Sequence, residues 1–125
     1  MKNERFYLSK RVRSFGYAIK GLILLFREEH NFRIHISAAI LVVIIGFILR
    51  INSIEWLAVI FAIGIVLITE ILNTAIENMA DLITLEKDER IRKIKDLGAA
   101  AALISAFIAA IIGIIIFLPK IISII

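Results

Sequence analysis

Between Leu97 and Leu118 the chain carries no charged residue, which is the length and apolarity of a helix that crosses a lipid bilayer. Two further apolar stretches precede it, at about Phe32 to Leu49 and about Ile54 to Met79. Together they predict an all-α membrane protein with three transmembrane helices. A hydrophobic content of 61% and a mean hydropathy of +0.96 lie far beyond those of a soluble domain. At 125 residues the chain is expected to form one domain, spanning 1–125. There is no cysteine, so disulfides and thiolate metal sites are excluded. No short apolar region with a small-residue cleavage site stands at the N-terminus, so no removable signal peptide is expected.

The segment before the first span has a different character. Over about Arg5 to Glu28, the residues Leu8, Val12, Phe15, Ile19, Leu22 and Phe26 recur at spacings of three and four. Lys10, Arg13, Lys20 and Arg27 lie on the opposite face. This pattern predicts an amphipathic helix at the membrane surface, since the rest of the chain offers no soluble core to cover it.

Charge in the connecting segments predicts orientation. Seven Lys or Arg precede Phe32, and Lys87, Arg90, Arg92, Lys93 and Lys95 crowd the loop between the second and third spans. The link from Arg50 to Glu55 has one basic residue, and the tail past Pro119 has only Lys120. The positive-inside rule therefore puts the N-terminus and the Lys87–Lys95 loop in the cytoplasm and the C-terminus outside. Because these basic residues flank apolar spans and form no domain-sized stripe, nucleic acid is not an expected partner.

The last third of the second span carries Glu70, Asn73, Thr74, Glu77 and Asp81 at helical spacing. At about 100° per residue they share an arc of roughly 100°. Carboxylates at the edge of a bilayer core are costly and normally mark a buried site. Asn73 and Thr74 also admit a plainer reading, as hydrogen-bonding glue between helices. Glu70 and Glu77 are oxygen donors suited to a hard divalent cation. A di-iron Glu-x-x-His site is excluded because position 73 is Asn.

Near the first span, Glu28 falls on the wet face with the lysines. Glu29 falls at the edge of the apolar face and is the better candidate to turn toward the bundle. Asp96 reads as an N-cap of the third span or as a site residue, and Lys95 as a snorkelling interface charge or a ligand contact. His30 and His35 have no metal-ligand context and read as interface or headgroup contacts. Gly98 to Ala102, Ser105, Ala106, Ala109, Ala110 and Gly113 form a small-residue series that lets helices approach closely. There is no Walker A pattern and no kinase Gly-rich loop.

The run Glu-Ile-Leu-Asn-Thr-Ala-Ile-Glu from Glu70 to Glu77, then Asp81, then Lys95-Asp96-x-Gly98-x-Ala100-Ala101, resembles the signature of the prokaryotic diacylglycerol kinase family. Gly16-Tyr17-x-x-Lys20-Gly21 and Glu29-x-x-Phe32-Arg33 match it upstream, so the resemblance covers nearly the whole chain. Arg33-Ile34-His35, Ile54-Glu55-Trp56 and Ile116 to Lys120 are similar to its undecaprenol kinase branch. In the diacylglycerol branch an acidic residue stands at the place of His35. Lys95-Asp96-Leu97-Gly98 reads more like that second branch.

The resemblance implies an ATP-dependent lipid kinase that acts as a homotrimer in the bacterial inner membrane, with composite sites between subunits. It implies that Glu70 is the general base for the lipid hydroxyl and that Glu29 and Glu77 hold Mg²⁺. Tyr17, Glu29, Asn73, Glu77, Glu86, Asp88, Lys95 and Asp96 would be nucleotide-binding. Arg33, Glu70 and Ala99 would lie near the lipid. Undecaprenol is the expected lipid alcohol and diacylglycerol the alternative. A small proton-coupled transporter would also contain membrane carboxylates, but it would spread polar residues through the bilayer depth, and here they cluster at one end.

Overall fold

The computed structural model describes residues 2–125, with side chains from Tyr7 onward, and all its regular structure is helical. The helices are α1 (Lys2–Glu28), α2 (His30–Ile48), α3 (Ser53–Ile83) and α4 (Glu89–Ile124). Three of them, α2, α3 and α4, are long and apolar enough to cross a membrane. The chain divides into two compact units, one reaching to Ile34 and one of His35–Ile125.

In the first unit, Leu8, Val12, Phe15, Ile19, Leu22 and Phe26 of α1 are all exposed. Glu29 separates α1 from α2, yet helical hydrogen bonds continue around it. Its N–H donates to Leu25 O at 2.9 Å, and Arg33 N–H donates to Glu29 O at 3.3 Å.

In the second unit, α3 and α4 pack as an antiparallel pair tied at four levels. Lys120 Nζ lies 3.2 Å from Glu55 Oε1 near the α2–α3 turn, and Lys95 Nζ lies 2.6 Å from Asp81 Oδ1 near the α3–α4 loop. Between these ion pairs, Thr69 and Ser105 bring their hydroxyls to 2.7 Å, and Asn73 packs on Gly98. Each hydroxyl has one proton. One of the two therefore donates across the helix pair, and the other donates back to its own helix, at Ile65 O or Ala102 O, both 2.8 Å away. From Glu55 to Asp81 the helix rises about 39 Å, more than the roughly 30 Å of bilayer hydrocarbon, so charged ties at both ends need not enter the apolar core. The small residues of α4 permit the approach: Gly98 and Ser105 are buried, as are Ala62, Thr74 and Ala80 facing from α3.

The α2–α3 turn closes a dry end of the bundle around Ile51, Val59 and Ile116. Gly46 is needed there, because a Cβ on it would stand 2.8 Å from the Trp56 ring. The α2 terminus is a six-to-one closure in which Ile51 N–H donates to Gly46 O at 3.2 Å. Arg50 occupies the left-handed position of that closure with φ 54°, where an L side chain is strained. Arg50→Gly is accordingly expected to raise stability by about 1 kcal/mol, read as a higher melting temperature in detergent. Asn52 then starts α3 with a reciprocal cap: its side chain accepts from Glu55 N–H at 2.9 Å, while Glu55 accepts from Asn52 N–H at 3.0 Å.

Two helix ends differ from the apolar boundaries in the sequence. The third spanning helix begins at Glu89, well before Leu97, because Asp88 caps it. It also runs through Pro119 to Ile124, where Lys120 holds the segment to α3. Asp96 is therefore inside a helix and is not a cap.

Candidate active site

The polar face of α3 meets different neighbours as it descends. Measured from Ser53, Glu70 lies about 25 Å along the helix axis, near the far edge of a bilayer core entered at Ser53. Its side chain is 13% exposed, and its Oε2 stands 3.5 Å from His35 Nε2 on α2. Asn73 has its Oδ1 buried without a hydrogen-bond partner, pressed toward Gly98. A Cβ at Gly98 would stand 2.5 Å from that oxygen, so the glycine determines where the carboxamide can sit. Thr74 is buried at 8%. Glu77 is exposed, and none of the described ion pairs or hydrogen bonds uses its carboxylate. Asp81 is engaged by Lys95.

Glu70 and Glu77 are separated by about 10 Å of helix rise, too far for one ion to bridge within a chain. Among the described residues no group of three His, Asp or Glu converges as a metal site. Glu77 is left as a free oxygen donor, whereas Glu70 has an imidazole neighbour.

The α3–α4 loop and the first turns of α4 enclose a hollow of about 500 Å³, lined by Glu86, Lys87, Asp88, Arg92 and Lys95 among others. Both cationic and anionic side chains line it. Glu86 is exposed, and its N–H donates to Thr84 Oγ1 at 3.0 Å. Asp88 is committed locally: Oδ1 accepts Arg90 N–H at 2.8 Å, and Oδ2 accepts Arg90 Nη2 at 3.2 Å. The Arg90 guanidinium, helped by the Arg90 backbone N–H, holds the Asp88 carboxyl below the usual carboxylate range. A depressed folded value means that its support of the helix start is complete above the ordinary carboxylate value and is lost as pH falls through the folded one. Acidification is therefore expected to lower the amide protection factors over Glu89–Arg92, once the pH dependence of intrinsic exchange is divided out. Asp88→Ala should do the same at neutral pH.

The remaining residues singled out in the sequence take separate places. Asp96 and Ala99 are exposed on α4. In the first unit, Tyr17 is exposed with Lys20 Nζ 5.9 Å from its ring centroid, Glu29 is half-buried, and Arg33 is exposed.

His35 is the neighbour of Glu70 that sequence reasoning missed. It was expected only as an interface or headgroup contact, because helical periodicity says nothing about a pairing between two helices. It also lines an otherwise apolar groove of about 250 Å³, walled by Ala39, Val59, Ala62, Val66, Ala109 and Gly113 among others.

The family model described as prokaryotic diacylglycerol kinase matches residues 16–117. The chain belongs to this family. Membership makes it a lipid kinase by class, with ATP as the phosphate donor that a kinase implies. It is similar to the undecaprenol kinase of Bacillus subtilis (strain 168), with 40% identity over 119 residues that cover 95% of this chain and 97% of that protein. It is also similar to the diacylglycerol kinase of Escherichia coli (strain K12), with 35% identity over 111 residues that cover 89% of this chain and 91% of that protein. Three spanning helices fit a family whose substrate is a membrane lipid.

Proposed function

We propose that this diacylglycerol kinase family member transfers the γ-phosphate of ATP to the hydroxyl of undecaprenol, giving undecaprenyl phosphate and ADP. The observation that carries the choice of lipid is the 40% identity to an undecaprenol kinase over 97% of that relative's length.

Glu70 is the general base. It removes the hydroxyl proton as the oxygen bonds to the γ-phosphorus, while the bond from that phosphorus to the β–γ bridging oxygen breaks and ADP leaves. Such a transfer needs an oriented hydroxyl, neutralised phosphate charge and an in-line approach. A base held at the edge of the apolar core suits a hydroxyl anchored by a long hydrocarbon chain. The nucleotide is contacted by Tyr17, Asn73, Glu86, Lys95 and Asp96, with Asp88 shaping the loop beneath it. Arg33 and Ala99 lie beside the lipid.

Glu29 and Glu77 hold Mg²⁺, which when bound offsets the negative charge of the phosphates. Both are hard oxygen donors, and the unpartnered Glu77 carboxylate suits such an ion. The whole chain works as one kinase domain in a homotrimer with composite sites between subunits. It sits in the bacterial inner membrane with the N-terminus in the cytoplasm and the C-terminus outside. The exposed apolar face of α1, with Lys and Arg opposite, lies on the membrane surface.

The test is competition between undecaprenol and diacylglycerol in the same mixed micelles, with labelled ATP. The reading expects undecaprenyl phosphate as the dominant product. A preference for diacylglycerol would assign the chain to the phosphatidic-acid-forming activity instead.

A further inference from the structure

We propose that His35 is a positioning residue for Glu70: it holds one carboxylate oxygen and leaves the other free to take the proton of the lipid hydroxyl. The proposal rests on the reading of Glu70 as the base.

Glu70 is only 13% exposed and belongs to a helix of membrane-spanning length, so its carboxylate has to find a polar partner. The partner that the fold supplies is His35 Nε2, 3.5 Å from Oε2. That separation is long for a hydrogen bond, but groups of an active site commonly tighten once substrate is bound. The pair joins α2 to α3, so the carboxylate is steered from a helix other than its own. A glutamate alone has three side-chain torsions and no reason to keep one direction. A contact from a second helix removes that freedom before substrate arrives.

The surroundings strengthen the contact. His35 is the polar residue in a groove whose other lining side chains are apolar, including Ala38, Val42, Val66 and Leu67. Few polar groups compete along such walls, so a single polar contact counts for more there than at a wet surface. With its proton on Nε2, the neutral imidazole donates to Oε2. The lone pairs of Oε1 then receive the proton of the alcohol as the oxygen–phosphorus bond forms. His35 neither gains nor loses a proton in this step, which is why it is a positioning residue and not a catalytic one.

The experiment compares the full-length protein with His35→Leu, which has no donor, and His35→Gln, whose carboxamide can still donate. Each is measured for kcat and for the KM of ATP and of undecaprenol in mixed micelles. His35→Leu is expected to lose about 10- to 100-fold in kcat with both KM values within about twofold. His35→Gln should recover most of the loss. In a Glu70→Asp background, which keeps a carboxylate but withdraws it by one methylene, His35→Leu should cost little more. If the Leu variant does not fold, His35→Asn, whose shorter carboxamide stops short of Glu70, takes its place with the same expectation.

Multiplicative losses in the Glu70→Asp background would overturn the proposal. So would a change confined to the lipid KM, or a Gln variant as poor as Leu at equal melting temperature. Glu70→Gln is run alongside: a near wild-type rate there sinks the role of Glu70 itself, whatever the His35 variants do.

Discussion

Glu70→Gln is expected to lower phosphate transfer by about 100- to 10,000-fold, the usual contribution of a positioned general base. Oligomeric state and melting temperature should stay near those of the wild type. Gln keeps the size of the side chain, and its carboxamide oxygen still accepts from an imidazole 3.5 Å away, so packing between α2 and α3 has no reason to change. What Gln cannot do is take a proton at neutral pH. Initial rates of label transfer from ATP, measured beside thermal melts in the same detergent, separate the two effects. A variant that melts normally yet still phosphorylates lipid at near wild-type rate would remove Glu70 from the chemistry.

Gly98→Ala should produce a different loss, in ATP affinity. A Cβ there would stand 2.5 Å from Asn73 Oδ1 and 3.7 Å from Ile76 Cδ1. The carboxamide is the end of a side chain with free torsions, so it swings away and the helices need not part. Alanine also gains up to about 1 kcal/mol of helix propensity over glycine, which offsets much of the crowding. Melting temperature should therefore move little, while the KM for ATP rises about 10-fold, the equivalent of one lost hydrogen bond. Asn73→Ala should give a similar rise, and the double variant should be no worse than either single one. An ATP KM within about twofold of wild type in Gly98→Ala would show that the Asn73 carboxamide does not contact nucleotide.

The three apolar helices and the polar face of α3 were legible because both follow from periodicity and from the demands of lipid on a backbone. Angular counting along one helix is enough to gather Glu70, Asn73, Thr74, Glu77 and Asp81 on one arc. It cannot say which neighbour each one meets. Whether Asn73 was glue or ligand contact stayed open in the sequence, and the structure adds that its oxygen is buried without a partner. The antiparallel register that sets Lys95 on Asp81 and Lys120 on Glu55 is a property of two helices together. His35 was invisible as a neighbour of Glu70 for the same reason.

Helix ends escaped for another cause. Hydropathy marks where lipid ends, whereas hydrogen bonding continues into water for as long as caps allow. Asp88 therefore starts α4 ahead of Leu97, and α3 continues to Ile83, beyond which Thr84 N–H still donates to Ala80 O at 3.2 Å. The series Gly98, Ser105 and Gly113 announced close helix packing. That the glycine also sets the place of the Asn73 carboxamide needed coordinates.

The most direct trial of the account uses purified wild-type protein with Mg²⁺, undecaprenol micelles and ATP labelled at either the γ- or the α-phosphate. Label should enter the organic phase as undecaprenyl phosphate from the γ-position and not from the α-position. Release of the γ-label only as inorganic phosphate, or its failure to reach any lipid alcohol, would contradict the account.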